Sequence, residues 1–400
     1  MIFNKSGFIR NVAVFFFLVR VFFPLITLSQ EDTTYKKKTF LQRLDSIKKW
    51  KLDNGKSTFT PFVAPSYSPE MKFMLTAGGL FTFKLKPESP VLSRSSIPFS
   101  VAYSTNGSLQ VSVKANIYGK DDKLRITGEY WVKDMPDNYW GIGYANAKEK
   151  KKSPDTTGYH RDWQQFKFKI AYRIFPNFYL GVNYDRNKTK ATDVNAVMAT
   201  DTSIMEFGTD IKNSGFGMVY RYDSRDFPEN AFNGMLIELS GTAYGKHSSD
   251  NNIFQVAELD YRQYQKIVRE GSTLAWEIKA RISKEDVPWT EMSMIGTPFD
   301  LRGYTWGHYR DNNMVFVIAE YRYMFGRGIV RSNGEKFGPF GFVVWAGTGS
   351  VAPKFDEMKY WLPNGGVGLR FELQKRMNIR IDYGIGMDSS AFYVSFNEAF

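Results

Sequence analysis

From about residue 70 onward the chain alternates apolar and polar positions with a period of two. Phe166, Phe168, Ile170, Tyr172 and Ile174 interleave with Gln165, Lys167, Lys169, Ala171 and Arg173, and Leu274, Trp276, Ile278, Ala280 and Ile282 interleave with Glu277, Lys279, Arg281 and Ser283. Side chains of an extended chain point alternately to opposite faces, so this period predicts strands. The pattern places them at 71–86, 95–105, 108–119, 123–133, 138–148, 160–173, 176–186, 213–222, 233–244, 253–265, 272–283, 313–324, 337–348, 362–374, 377–387 and 391–400, sixteen in all. Most reach about ten residues, which exceeds the usual strand of a globular sheet and matches what a tilted strand needs to cross a bilayer.

The two faces differ in a way that decides the solvent. Lys84, Lys114, Arg125, Glu129, Arg221, Glu258, Asp260, Arg262 and Arg322 fall on the polar face, while the opposite face is almost uncharged and ends in aromatic residues. A polar interior with aromatic girdles outside marks an outer-membrane barrel, whereas a soluble sandwich has no use for a girdle. The fold expected is therefore all-β, a sixteen-stranded antiparallel transmembrane outer-membrane β-barrel. Connections 187–212, 284–312 and 349–361 are long and polar and belong outside, with both termini periplasmic. Thr105–Ser108, Phe175–Asn177 and Lys375–Met377 read as tight inner turns, and 223–232 and 325–336 are longer than that rule wants. A three-residue turn at Lys375–Met377 sets Arg370 opposite Asp382 and Glu372 opposite Arg380, two luminal charge pairs that fix register.

Composition narrows the class further. At 43% hydrophobic and 16% aromatic residues, the chain is too polar for a helical membrane protein and too apolar for disorder. It has no cysteine, which excludes disulfides and thiolate chemistry, and only three histidines. Lys5 and Arg10 precede an apolar stretch from Val12 to Leu28, a signal-peptide pattern for residues 1–29 despite Arg20 and Pro24. Cleavage near Ser29 takes the formal charge from +12 to +9. Residues 30–60 form a short periplasmic segment with an amphipathic helix over Phe40–Trp50, and 61–400 form the barrel. Bases and acids are interleaved without a basic stripe, so nucleic acid is not expected as a partner, and Lys148–Lys152 reads as a solvated loop.

Several segments resemble the BamA/TamA-type surface-antigen superfamily of outer-membrane assembly and translocation barrels. Leu301-Arg302-Gly303-Tyr304 stands in the long loop after the eleventh strand, where that family carries its Val-Arg-Gly-Phe/Tyr motif. Tyr222–Asp226 with Gly234, Gly366–Phe371, Asn378–Gly384 and Tyr67–Glu70 resemble further family segments, and a terminal Phe400 on an amphipathic strand looks like the outer-membrane assembly signal, with Glu398 departing from it. The resemblance implies an inward-folded loop between strands 11 and 12 whose Arg302 meets acids on the barrel wall. Glu320 stands at the matching position. Where the family has an inward Asp, this chain has Trp345, placed to stack on Arg302. Residues 30–60 leave no room for POTRA modules, which points to the short, POTRA-less branch.

His160, His247 and His308 fall in loops or at strand ends, and Asp162 near His160 is the one faint dyad. No nucleophile elbow or phosphate loop accompanies them, so neither catalysis nor a cofactor is expected. Two functions fit: a barrel in the outer membrane of a Gram-negative bacterium that assists insertion or translocation of proteins or lipids, or a passive pore for small solutes. Outer-membrane lipid and periplasmic or membrane protein partners are implied by the first.

Overall fold

The computed structural model describes residues 54–400 apart from 90–91, 229, 246–251, 270, 326–338 and 375–376, together with Ile47, Trp50 and Lys51. Those three are helical; the expected signal peptide and the rest of the Phe40–Trp50 helix lie outside the described residues. The chain divides into two units, Met1–Trp50 and Lys51–Phe400, and the second is the barrel.

Its strands are β1 (Thr58–Ser68), β2 (Lys72–Phe83), β3 (Ser95–Ser104), β4 (Leu109–Gly119), β5 (Leu124–Asn138), β6 (Gly158–Phe175), β7 (Phe178–Thr192), β8 (Asp210–Asp223), β9 (Gly234–Tyr244), β10 (Phe254–Lys266) and β11 (Ser272–Lys284). A two-stranded ribbon follows inside the next loop, β12 (Ser293–Met294) with β13 (Arg310–Asp311). Then come β14 (Asn313–Met324), β15 (Phe340–Ala352), β16 (Leu362–Gln374), β17 (Met377–Ile385) and β18 (Ser390–Phe396). All but the ribbon close into one antiparallel barrel of sixteen strands in sequence order, with β11 beside β14 and β18 beside β1.

Alternation sorts the faces. Along β14, Met314, Phe316, Ile318, Glu320 and Arg322 are buried while Val317 is exposed; along β17, Arg380 and Asp382 are buried while Ile381, Tyr383 and Ile385 are exposed. The membrane makes the exposed apolar face favourable, and the enclosed face holds the charges.

The strand total agrees with the sequence expectation through two errors of opposite sign. Residues 138–148 are not a strand: β5 ends at Asn138, and Gly143–Glu149 form a short helix, α1, in a loop. Trp140, Tyr144 and Ala147 recur at helical rather than alternating spacing, and Tyr144 stacks on Tyr360 with ring centroids 4.3 Å apart. The unexpected strand is β1, disguised by Pro61 and Pro65, residues that lack the N–H a ladder requires. Both prolines strip donors from the same edge. With β2, β1 keeps an unbroken register from Thr58↔Thr82 to Ser68↔Lys72, but its register with β18 consists of Tyr67↔Val394 alone.

Adding β1 shifts the sidedness of the first turns. Thr105–Ser108 lies at the outer end rather than the inner one: Asn106 Nδ2 donates to the Glu70 carbonyl (2.8 Å), and Glu70 Oε1 accepts from Trp306 N in the long loop (3.0 Å).

Two further expectations change at the end of the chain. The β16–β17 turn is tighter than three residues, with Gln374 opposite Met377, and a bulge between Glu372 and Gln374 resets the ladder. Arg370 therefore faces Arg380, Glu372 faces Asn378, and Gly368 faces Asp382. The last strand stops at Phe396, and Asn397 adopts positive φ (62°). Phe400 is consequently buried against Tyr264 and Arg322 on the enclosed face rather than set on a membrane-facing strand.

Candidate functional site

The loop between β11 and β14 is held in shape by its own residues. Asp300 Oδ1 accepts from the backbone N–H groups of Gly296 (2.8 Å) and Thr297 (2.7 Å), and Oδ2 accepts from Thr297 Oγ1 (2.7 Å). Burial raises the Asp300 carboxyl above its ordinary range, against those three hydrogen bonds. Gly303 sits at φ 114°, a conformation that side chains with a Cβ avoid, and it turns the chain so that Arg302 and Tyr304 both reach the wall.

That wall is shaved to receive them. A Cβ on Gly384 would collide with the Arg302 carbonyl, one on Gly386 would lie 2.6 Å from the Tyr304 ring, and one on Gly366 would strike the Trp345 ring. With those side chains absent, Gly303 N–H donates to Tyr393 Oη (3.1 Å) and its carbonyl accepts from Ser389 Oγ (2.6 Å). Tyr304 Oη donates to the Pro363 carbonyl (2.7 Å) and accepts from Met387 N–H (2.9 Å). The Arg302 carbonyl accepts from Asn364 Nδ2, whose Oδ1 takes the Trp345 indole N–H (3.1 Å). Leu301 is fully buried in the main apolar cluster.

The Arg302 guanidinium is fully buried. It donates from Nη2 to Glu320 and from Nη1 to Asp382 Oδ2 (2.7 Å), and its Cζ lies 3.7 Å from the centre of the Trp345 ring. Each acid also serves other cations. Glu320 Oε2 accepts from Arg322 Nε (2.8 Å); Asp382 accepts from Arg370 Nη1 (2.6 Å) and Arg380 Nη1 (3.3 Å). Glu398 Oε2 accepts from Arg370 Nε (2.8 Å) and Oε1 from Asn378 Nδ2 (2.6 Å), and Arg322 Nη2 donates to the Phe400 carbonyl (3.0 Å). Arg370 and Asp382 thus meet diagonally rather than directly across the hairpin. Arg380 turns to Asp382, with its Cζ 4.8 Å from the Phe299 ring of the loop. Four guanidiniums share three carboxylates, so a buried charge is stabilised only through partners that it also shares.

Sequence reasoning missed several members. Asp382 is an Arg302 partner as well as a hairpin charge, Glu398 is a ligand of arginine rather than a flawed assembly signal, Gly366 and Gly384 stood in family-like segments without a role assigned to them, and Asn364, Tyr393 and Gly386 carried no signal of their own. It also missed a second anchorage. The Trp306 ring lies 5.5 Å from Trp163 on β6 and 5.4 Å from Lys133 Nζ on β5, while Glu291 Oε1 accepts from Asn213 on β8 (3.0 Å). One loop therefore touches β5, β6, β8, β14 and β17, walls on different sides of the enclosure. His308 is held in the packing of the loop: its Nε2 bonds the Ala147 carbonyl (2.8 Å) and its ring packs on Trp140 and Tyr309. His160 Nε2 lies 2.7 Å from Asp134 and 3.9 Å from Asp162 at the outer rim, and His247 lies outside the described residues.

The Omp85 superfamily domain matches residues 101–391. Among solved structures, BamA from Haemophilus ducreyi lacking POTRA domains 1–3 is similar at 12% identity and a TM-score of 0.54, over 92% of this chain and 80% of that one. CdiB from Acinetobacter baumannii is similar at 13% identity and 0.52, over 85% of this chain and 59% of that one. CdiB from Escherichia coli matches at 10% identity and 0.54, over 85% and 62%. No curated protein matches the sequence.

Proposed function

The chain belongs to the Omp85 superfamily, and from that premise we propose that it assists the insertion or translocation of proteins or lipids at the outer membrane, where it resides. The observation that carries this reading is the loop held by Arg302 on one wall and Trp306 on another. A pore for passive solute flow needs a free lumen, whereas this loop bridges it. A barrel that handles chains needs a resting seal that yields when cargo arrives. The narrow β1–β18 seam, a single register pair, is a route by which cargo passes to the bilayer without crossing the sealed lumen. Periplasmic or membrane protein partners deliver the cargo, and the chain itself does no covalent chemistry.

Planar-bilayer conductance of the folded protein tests this reading. Wild type is expected to rest nearly closed and Arg302→Ala to open frequently. In parallel, liposomes carrying the wild type should accelerate folding of an added unfolded barrel, scored by its protease resistance. A large steady conductance in wild type, unaltered by Arg302→Ala, would make the protein a passive pore.

A further inference from the structure

The membrane-facing side of β6–β8 carries a feature that the loop and seam do not use. On these strands Phe166, Tyr184 and Phe216 point outward and pack on one another, with Phe166–Tyr184 centroids 6.1 Å and Tyr184–Phe216 centroids 4.7 Å apart. Such a girdle marks the level where hydrocarbon gives way to headgroups. One step beyond it, on the same outward parity, stand Arg186 and Lys188 on β7 and Lys212 on β8. The intervening Asp185, Asn187 and Asn213 point inward, where they bond Tyr244, Trp163 and Glu291.

Lys188 and Lys212 are directly opposed in the β7–β8 ladder, and Arg186 opposes Ser214 and Phe166. Like charges directly across a ladder are destabilising. The next cation, Lys190, is flanked by Asp162 and Asp210. Arg186, Lys188 and Lys212 have no acid directly opposite them in the ladder, although Asp162 stands diagonal to Lys188 and acts on it and Asp210 stands two residues from Lys212 on the same face; among the described residues none of the three lies within ion-pair distance of a carboxylate. With Lys190 this triad sets four cations against the two acids Asp162 and Asp210 on one face, a net positive patch at headgroup height on the outer end of the barrel.

Below and beside the triad the same face is hollow. An apolar depression of about 570 Å³ runs across the outward side of β7–β11, bordered by Leu180, Met218, Leu239, Gly241, Ala257 and Ala280. It arises because small residues follow one another on adjacent strands; a Cβ on Gly241 would meet nothing within 4 Å. A cationic triad over an apolar hollow has the polarity of an anionic lipid, head above and chain below.

We propose that this face holds a phosphorylated lipid of the outer leaflet, its phosphate between Arg186, Lys188 and Lys212 and an acyl chain in the depression. The phosphate supplies the charge by which the cations of this face outnumber Asp162 and Asp210, and the hydrocarbon fills the space that Gly241 leaves. The inference is independent of the insertion role.

The test is native mass spectrometry of the intact folded protein in detergent, titrated separately with bis-phosphorylated lipid A, with its enzymatically dephosphorylated form, with phosphatidylcholine and with inorganic phosphate. Lipid A should be retained and the other three not. The Arg186→Gln, Lys188→Gln, Lys212→Gln triple variant should lose roughly a hundredfold in lipid A affinity, while a control removing Lys56, Lys86 and Lys266 at the opposite end should lose little. Gly241→Leu, whose Cβ would meet nothing within 4 Å, puts side-chain volume into the hollow and should weaken lipid A and leave folding intact. Lys212→Gln alone relieves the opposed pair, so in lipid-free detergent it should melt higher than wild type while binding less lipid A. Equal losses in triple and control, retention of dephosphorylated lipid, or displacement of lipid A by inorganic phosphate would each overturn the proposal.

Discussion

The carbonyl of Arg302 rests on the backbone of Gly384, in the space where any other residue would carry its Cβ. The loop motif is thus fitted to β17 by the absence of an atom as much as by the charges around its guanidinium. Gly384→Ala should dislodge the motif at a cost of about 1–3 kcal/mol without unfolding the barrel. Limited proteolysis should then cut within 285–312 while the heat-modifiable gel shift of the folded barrel persists; an uncut loop in that variant would show that the contact yields.

Arg302→Ala removes a cation from two acids at once, and Glu320→Ala removes an acid from Arg302 and Arg322 together. Breaking a buried pair from one side costs on the order of 3 kcal/mol, so each single variant should raise loop cleavage and conductance. The double variant should be little worse than either single, because the two residues act on one contact. Additive effects in that cycle would mean that Asp382, not Glu320, carries the attachment.

The seam offers a separate test in a chain without cysteine. Tyr67→Cys with Val394→Cys places thiols at the single β1–β18 register pair. Oxidation should stop the acceleration of substrate folding, and reductant should restore it. Undiminished activity in the fully crosslinked protein would mean that the seam need not part.

Loop docking should weaken as pH rises. Burial pushes the Asp311 carboxyl, in the loop, up to about 6, and burial together with the neighbouring Asp185 raises Glu291 as well. A carboxyl with a raised folded value contributes stability that is fully present below its unfolded value, near 4, and lost as pH climbs through the folded one. Burial lowers His308, which acts with the opposite sign: its contribution is present above about 6.5 and lost below. Protease resistance of the loop followed from pH 5 to 8 should therefore fall less steeply in Asp311→Asn than in wild type. Identical slopes would assign the titration to another group.

Much of this molecule was legible because the bilayer enforces alternation on every strand it touches. The reading failed where other forces rule. Pro61 and Pro65 hid β1 since a strand at a seam tolerates what a central strand does not. Trp140, Ile142 and Tyr144 imitated a strand since a short aromatic run in a loop fits either period. Within the site, Arg302, Glu320 and Trp345 could be picked out through a motif and a parity rule, and the structure brings those three together. The register that delivers Asp382 depends on a bulge between Glu372 and Gln374, a backbone event with no side-chain signature. Glu398 looked like a defect in an apolar strand end until the chain turned inward at Asn397 and made it a partner for Arg370.

Arg302 lies 80 residues before Asp382, on the penultimate strand, and its neighbour Arg370 depends on Glu398, two residues from the last. The loop is complete in the chain long before the surface that receives it exists. Its docking requires the closing hairpin and the inward turn at Asn397 to be in place. A loop resistant to protease is therefore a timestamp, written only on molecules whose last strand has already found its place.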